Sequence, residues 1–413
     1  MRLPKFSALS GLWIRCAALL AGVLSLSGCE WYRMDGPQST ITTEGPVAAR
    51  QTDLFYLTCW VTLVIFIFVG STLAYAIWKF RARSEADAHA EPPEQGHGNP
   101  MVEIGLIGAS VLSLVIIAFP TIRDISYTYD VPEAQKAFAY NVTATGYQWW
   151  FKFDYPSETI PGAGILTTGN ELVIPAGRPV HIDLRSADVM HSFWIPKLAG
   201  KVDMIPNRAN FLWLQADHPG YYWGQCAEFC GDSHALMRFR VIALGAADFN
   251  AWLAHQKEPA HVAEAAAKPA AQFASLRSFG TNEIGFPAND LLERDPFAAW
   301  KQKQLPDAAP ADPALIAQGR ALFASKTCIA CHTIRGVDGA VGVRGPDLTH
   351  VGARTTIAAG LLENNPEELQ RWIHNPGAVK PGNKMWVEGF LANNIQLTPA
   401  DETALVAFLS SLK

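Results

Sequence analysis

YYWGQCAEFCGDSHALM, residues 221–237, is the stretch on which the reading of this 413-residue chain turns. Cys226, Cys230 and His234 recur every fourth residue, and Met237 follows three later. Thiolate, imidazole and thioether are soft donors, a set that suits copper. A blue-copper site needs one thiolate; this loop offers two. Two thiolates can bridge two metal ions, and each ion then needs one more nitrogen. The loop supplies only His234, so the other nitrogen comes from elsewhere, and His191 in SADVMHSFW (186–194) is the obvious source. Each stretch ends an apolar, strand-like run, as expected if loops at one end of a β-sandwich converge. The alternative, a Cys226–Cys230 disulfide in an oxidising compartment, leaves His234 and Met237 without a role.

Around this loop, residues 136–245 alternate short apolar runs with Gly and Pro: FAYNVTATGYQWWFKF (138–153), NELVIPAGRPVHIDLRS (170–186), LMRFRVIAL (236–244). Alternation with β-branched and aromatic residues predicts a small β-sandwich or barrel. Residues 255–313 are rich in Ala, Pro and polar residues and predict a linker. From about 314 the spacing becomes helical. ALIAQGRALFAS (314–325) is one helix. A last one has Thr398 as N-cap and Pro399 at its first position, with Leu405, Phe408, Leu409 and Leu412 on one face.

Composition narrows the function. The net charge is −5 and no basic block stands out, which argues against a nucleic-acid partner. Only 17% of residues are charged, and 13 Trp with 21 Phe exclude a disordered polymer and point to a membrane. Leu54 to Trp78 is an uncharged run of 25 residues and Ile104 to Ile122 one of 19. At ~1.5 Å per residue both reach across the ~30 Å hydrocarbon core. The loop between them begins with Lys79, Arg81 and Arg83, which by the positive-inside rule is cytoplasmic. Everything after about residue 123 is then on the outer side. Cys59, inside the first run, reads as a packing thiol. Residues 1–28 read as an export signal: Arg2, Lys5 and Arg15, then the short apolar run CAALLAGVLSL (16–26). Leu26-Ser27-Gly28-Cys29 resembles a bacterial lipoprotein cleavage box, which implies lipid on Cys29.

A second cysteine pair stands at Cys328-Ile329-Ala330-Cys331-His332. C-x-x-C-H is the attachment sequence of c-type haem, with two thioethers and His332 as axial ligand. Met385, in VKPGNKMW (379–386), resembles the methionine loop of cytochromes c, with His350 and His374 as rivals for the sixth position. GPDLTHVGAR (345–354) resembles the stretch that lines the haem in such proteins.

On these motifs the chain resembles subunit II of the haem–copper cytochrome c oxidases over about residues 50–245, with a cytochrome c domain fused behind it. The resemblance implies a multi-domain architecture. A signal (1–28) is followed by an N-terminal segment with a two-helix transmembrane hairpin (29–130; helices about 54–78 and 104–122). Then come an all-β cupredoxin-like barrel (131–245), a linker (246–313) and an all-α cytochrome c domain (314–413). It implies a dinuclear copper A centre held by His191, Cys226, Glu228 (through its backbone carbonyl), Cys230, His234 and Met237. It also implies a Mg²⁺ reached by the Glu228 carboxylate at the interface with subunit I; the other reading of Glu228 is a solvated loop acid.

Trp149 in GYQWWF (146–151) aligns with the tryptophan where the family takes up electrons, although a strand-interior residue or a membrane-interface aromatic fits as well. The family often has a Tyr between two Trp, whereas this chain has Trp149-Trp150-Phe151. Glu103 resembles a carboxylate at the mouth of a proton path; its other reading is an acid favoured by the helix dipole.

The function implied is the electron-accepting subunit of a bacterial inner-membrane oxidase. Electrons pass from cytochrome c or another donor through haem c and copper A to subunit I, where dioxygen is reduced to water with proton translocation; subunit III is a further partner. A copper chaperone has no use for a tethered haem. A quinol oxidase subunit lacks the copper cysteines. A nitric-oxide reductase subunit, or a membrane-anchored redox shuttle, is the reading that remains beside it.

Overall fold

The computed structural model describes residues 35–89, 91, 94, 96–260, 295–305 and 312–413. The expected export signal and Cys29 lie outside the described residues.

Two helices, α1 (Pro46–Phe80) and α2 (Pro100–Tyr129), are long and apolar enough to cross a membrane. Both start with proline at the first position, which gives up no helical hydrogen bond there. They extend beyond the predicted spans. At ~1.5 Å per residue, 35 residues reach about 52 Å, well over the thickness of the hydrocarbon. The excess turns lie against the exported domain: Val47, Ala48, Thr52 and Asp124 are buried. The charges at Arg50, Asp53 and Arg123 end the apolar runs, but they mark where the lipid stops and not where the helices stop.

These protruding ends are fastened together. The Asp124 carboxylate accepts from Arg50 (3.2 Å) and Arg123 (3.0 Å). The Arg50 guanidinium lies 4.7 Å from the centre of the Tyr127 ring, and Trp213 of the barrel donates to the Tyr127 carbonyl at 3.1 Å. Asp124→Ala is expected to lower stability by about 1–2 kcal/mol, since the arginines it leaves unpaired are partly hydrated. Thermal unfolding followed by tryptophan fluorescence in detergent checks it.

The exported domain is a pair of five-stranded sheets. Its strands are β1 (Tyr140–Tyr147), β2 (Trp150–Ile160), β3 (Gly164–Gly169), β4 (Glu171–Pro175), β5 (Val180–Ser186), β6 (His191–Trp194), β7 (Val202–Met204), β8 (Asn210–Leu214), β9 (Gly220–Cys226) and β10 (Arg238–Leu244). One sheet runs β3-β2-β1-β5-β8 and the other β4-β10-β9-β6-β7. β1 pairs parallel with β5 and β10 parallel with β4, while the other pairings are antiparallel. Alternate residues face inward, and Phe151, Phe153, Phe193 and Phe239 form an aromatic core. The Phe193 and Phe239 rings stack at 4.7 Å. The alternation predicted a small β-sandwich or barrel, and the resemblance a cupredoxin-like barrel; the two sheets agree with both.

In the stretch 246–313, expected as a linker, residues 246–260 and 295–305 are among those described, and both carry a helix. α3 (Ala246–Lys257) lays Phe249 and Trp252 on the barrel, with Trp252 5.6 Å from Tyr155. α4 (Pro296–Lys303) buries Trp300, whose indole donates to Glu171 of β4 at 3.3 Å. The same carboxylate accepts from the Thr355 N–H at 3.0 Å. Lys303 and Gln304 donate to the carbonyls of Asn364 and Ala353. α4 is therefore a wedge between barrel and C-terminal domain. Ala and Pro composition suggested a tether, but the aromatics of PFAAW bury there.

The C-terminal domain packs α5 (Pro313–Ser325) across α7 (Pro399–Ser410), with α6 (Pro366–His374) beside them. Thr398 and Asp401 form a reciprocal cap at the start of α7, and Leu405, Phe408, Leu409 and Leu412 are buried as predicted. A two-rung ladder, Thr356–Ile357 with Leu362–Glu363, is its one sheet among the described residues.

Candidate metal centre

Strand register assembles the first centre. β6 pairs with β9 so that Phe193 faces Cys226, which sets the start of β6 beside the end of β9. The loop from Cys226 returns as a hairpin into β10, closed by the Cys226 N–H on the Met237 carbonyl at 2.9 Å. His191, Cys226 and Cys230 thereby bring their ligand atoms within 4.8 Å of one another. The two sulfurs are 3.8 Å apart and both cysteines are free, so no disulfide forms. His191 Nδ1 is 3.9 Å from Cys226 Sγ, and the Glu228 carbonyl oxygen 3.3 Å. His234 Nδ1 is 3.5 Å and Met237 Sδ 3.9 Å from Cys230 Sγ. All six donors that the resemblance implied lie in one cluster, with His191, Cys226, Cys230 and Met237 buried and Glu228 and His234 half-buried, and two sulfurs amid soft donors fit a copper pair.

Electrostatics place the thiolate on Cys226. A hydrogen bond from Cys230, together with His191 and the nearby backbone, holds the Cys226 thiol far below its ordinary range against the effect of burial. The same hydrogen bond and burial push the Cys230 thiol up. His191 fits against β1 only because residue 146 is glycine: a Cβ there would lie 2.8 Å from the imidazole.

Sequence reasoning missed Asp188. Its carboxylate accepts from His191 Nε2 at 2.9 Å and from the Gln148 N–H at 2.8 Å, leaving Nδ1 of the ring for metal. An acid three residues before His191 was the available signal. Burial alone would raise this carboxyl, but the hydrogen bonds from His191, Gln148 and Val189 outweigh it and hold it at about 2. A depressed acid contributes stability above its unfolded value of ~3.9, and that contribution fades as pH falls toward 2. Asp188→Asn is expected to cost about 1–2 kcal/mol at pH 5–7, with the gap narrowing below pH ~4. Urea midpoints at pH 5 and pH 3 check it.

Trp149 follows β1. Its indole donates to the Cys230 carbonyl at 2.9 Å, as does the Gln148 side chain. It touches the cluster and is only 6% exposed. What covers it is the C-terminal domain: Lys380 donates to the Trp149 carbonyl at 2.6 Å.

In the second centre, Cys328 and Cys331 are free on a short 3-10 turn. His332 donates through Nδ1 to the Pro346 carbonyl at 2.8 Å, which leaves Nε2 for an axial bond, and burial pushes the imidazole toward its neutral form. These residues fit covalent haem. Met385 opens a π-helical turn, Met385–Leu391. The two rivals are engaged elsewhere: His350 Nε2 with the Glu258 carbonyl (3.1 Å) and His374 with Glu402 (2.8 Å).

Glu103 is exposed in the first turn of α2, at the end of the hairpin away from the barrel. Glu228 is half-buried in the loop beside Phe229, which is 77% exposed.

A cupredoxin-like barrel with a two-thiolate cluster, a C-x-x-C-H domain and a membrane hairpin define a membrane-anchored electron-transfer protein. The sequence profile of the cytochrome c oxidase subunit II periplasmic domain matches residues 140–244, and that of cytochrome c matches residues 316–413. Cytochrome c oxidase subunit 2 of Alkalihalophilus pseudofirmus is 33% identical over 378 residues, covering 91% of this chain and 91% of that one. That of Bacillus subtilis is 30% identical over 418 residues, covering 97% and 98%. Quinol oxidase subunit 2 of Bacillus subtilis is 34% identical over 237 residues, covering 57% of this chain and 70% of that one. The chain belongs to the cytochrome c oxidase subunit 2 family.

Proposed function

We propose that this chain takes electrons from an external donor, cytochrome c or another carrier, first into its C-terminal domain. They then pass to the copper cluster and on to subunit I of an oxidase that reduces dioxygen to water with proton translocation. When bound, haem c and copper A supply one-electron carriage; the protein's part is to position them and to exclude water. His332 and Met385 would hold the haem iron, with Cys328 and Cys331 as its covalent tethers. His191, Cys226, the Glu228 carbonyl, Cys230, His234 and Met237 hold the copper pair in a barrel too rigid to rearrange between oxidation states, which keeps the reorganisation cost of each transfer low.

The observation that carries this reading is the covered Trp149. The residue through which relatives of this architecture are expected to meet a soluble donor lies under the chain's own cytochrome domain. The donor therefore meets the haem domain first. In the same proposal Glu103 stands at a proton-path mouth, the Glu228 carboxylate reaches a Mg²⁺ shared with subunit I, and Cys29 carries lipid in the bacterial inner membrane, with subunit III completing the complex.

Purification of the complex through this chain tests the reading. Optical and EPR spectra showing haem c, copper A and partner haems together support it. Material that carries haem c and copper but no partner subunit makes the chain a free-standing shuttle.

A further inference from the structure

We propose that Lys380-Pro381-Gly382 is the built-in bridge by which electrons cross from the haem domain to the copper loop, with Lys380 and Gly382 as positioning residues. The inference rests on the assignment of haem to the C-terminal domain and copper to the barrel. It goes beyond that assignment in naming where the two domains are electronically joined.

Three contacts converge on the tripeptide. Lys380 is 3% exposed, and its ammonium donates to the carbonyls of Trp149 (2.6 Å) and Ala358 (3.2 Å). Ser233, between Cys230 and His234 in the copper loop, donates to the Pro381 carbonyl at 2.6 Å. Gly382 has φ +73°, and a Cβ on it would lie 2.9 Å from the Trp149 ring and 3.2 Å from the Asp232 carboxylate. The bare backbone thus rests on the edge of the indole, whose own N–H reaches Cys230.

The far side of the tripeptide is tied just as closely to Met385. Asn383 donates to the Lys380 carbonyl at 2.6 Å and accepts from the Trp386 N–H at 2.9 Å. A parallel link runs alongside: Lys384 pairs with Asp188 at 3.4 Å, and Asp188 holds His191. From Met385 to Cys230 the connection is therefore continuous through covalent bonds, hydrogen bonds and one van der Waals contact.

Packing alone does not account for Lys380. Among the described residues no carboxylate lies within ion-pair distance of its ammonium. Burying an amine among carbonyls costs more than burying an apolar side chain of similar volume, and burial pushes the Lys380 ammonium down to about 7. What the amine does supply is a fixed donor on Trp149. The step it serves is the transfer of one electron: ferrous haem iron becomes ferric, the oxidised copper pair is reduced by one electron, and no proton moves.

The test uses the intact complex, with Lys380→Met and Gly382→Ala as variants and Ser233→Ala as a milder third. Electrons are photo-injected into haem c and the rise of reduced copper A is timed. Hydrogen exchange over residues 146–150 is measured in the same samples. The expected result is at least a tenfold slower transfer in the first two variants and a severalfold slower one in Ser233→Ala, with faster exchange at 146–150 and unaltered haem and copper spectra. If a variant loses its spectra through misfolding, Ser233→Ala decides. A wild-type transfer rate, or unchanged exchange at 146–150, in variants with intact spectra overturns the proposal. Absence of the haem c or copper A bands from the wild-type complex overturns instead the assignment on which it rests.

Discussion

Cys226→Ser is expected to remove the near-infrared copper band and to stop electron delivery to the partner subunit. Cys226 is at once one of two sulfurs 3.8 Å apart and the neighbour of both His191 and the Glu228 carbonyl. A serine hydroxyl is a harder, weakly acidic donor that does not bridge soft metal ions. Even outer-shell partners of metal ligands are worth ~10–100-fold in affinity or activity, so loss of a bridging ligand should cost more than about a hundredfold. The barrel itself should survive, because its stability comes from the aromatic core and two five-stranded sheets. Near-infrared absorption, copper content and oxygen uptake on one preparation check this. A retained band with normal uptake is the contrary result.

Met385→Ala is the second large effect. Haem should stay attached, because the thioethers to Cys328 and Cys331 do not depend on the sixth ligand. Its potential should drop, because a thioether favours ferrous iron and its loss admits water or a stronger base. Axial ligation spans ~0.8 V among haem proteins, and a fall on the order of 0.2 V is expected here. Such a fall makes transfer from haem to copper more downhill but makes reduction of the haem by the external donor uphill, and it is that step which slows turnover. Redox titration of the α-band checks it; an unchanged potential would return His350 or His374 to consideration, against the hydrogen bonds that now engage them.

Legibility in the sequence followed distance along the chain. Cys226, Cys230, His234 and Met237 fall within residues 226–237, and the haem attachment within 328–332, so local spacing revealed both, while Glu228 was reached only through the resemblance. His191 was reached because metal chemistry demanded a second nitrogen and one strand-end histidine offered it. Trp149 was legible as a motif, but not its cover, since Lys380 is 231 residues away. The same holds for Glu171, which joins Trp300 and Thr355 across 129 and 184 residues. Composition misjudged the ends of the linker because a few aromatics decide burial where many alanines suggest freedom. Charge misjudged the helix ends because hydropathy reports the solvent around a helix, not its hydrogen bonding.

The unbroken passage of α1 from lipid to barrel has a mechanical consequence. α1 has proline only at its start, and Asp124 clamps it to α2, so α1 behaves as a stiff mast, while α2 carries Pro120 inside its span as a point where it can bend. A thicker or thinner bilayer changes the tilt of a helix rather than its length. That tilt would be carried upward as a change in the elevation of the copper loop over the membrane plane, so lipid composition can set how closely the wire meets its socket in the catalytic subunit.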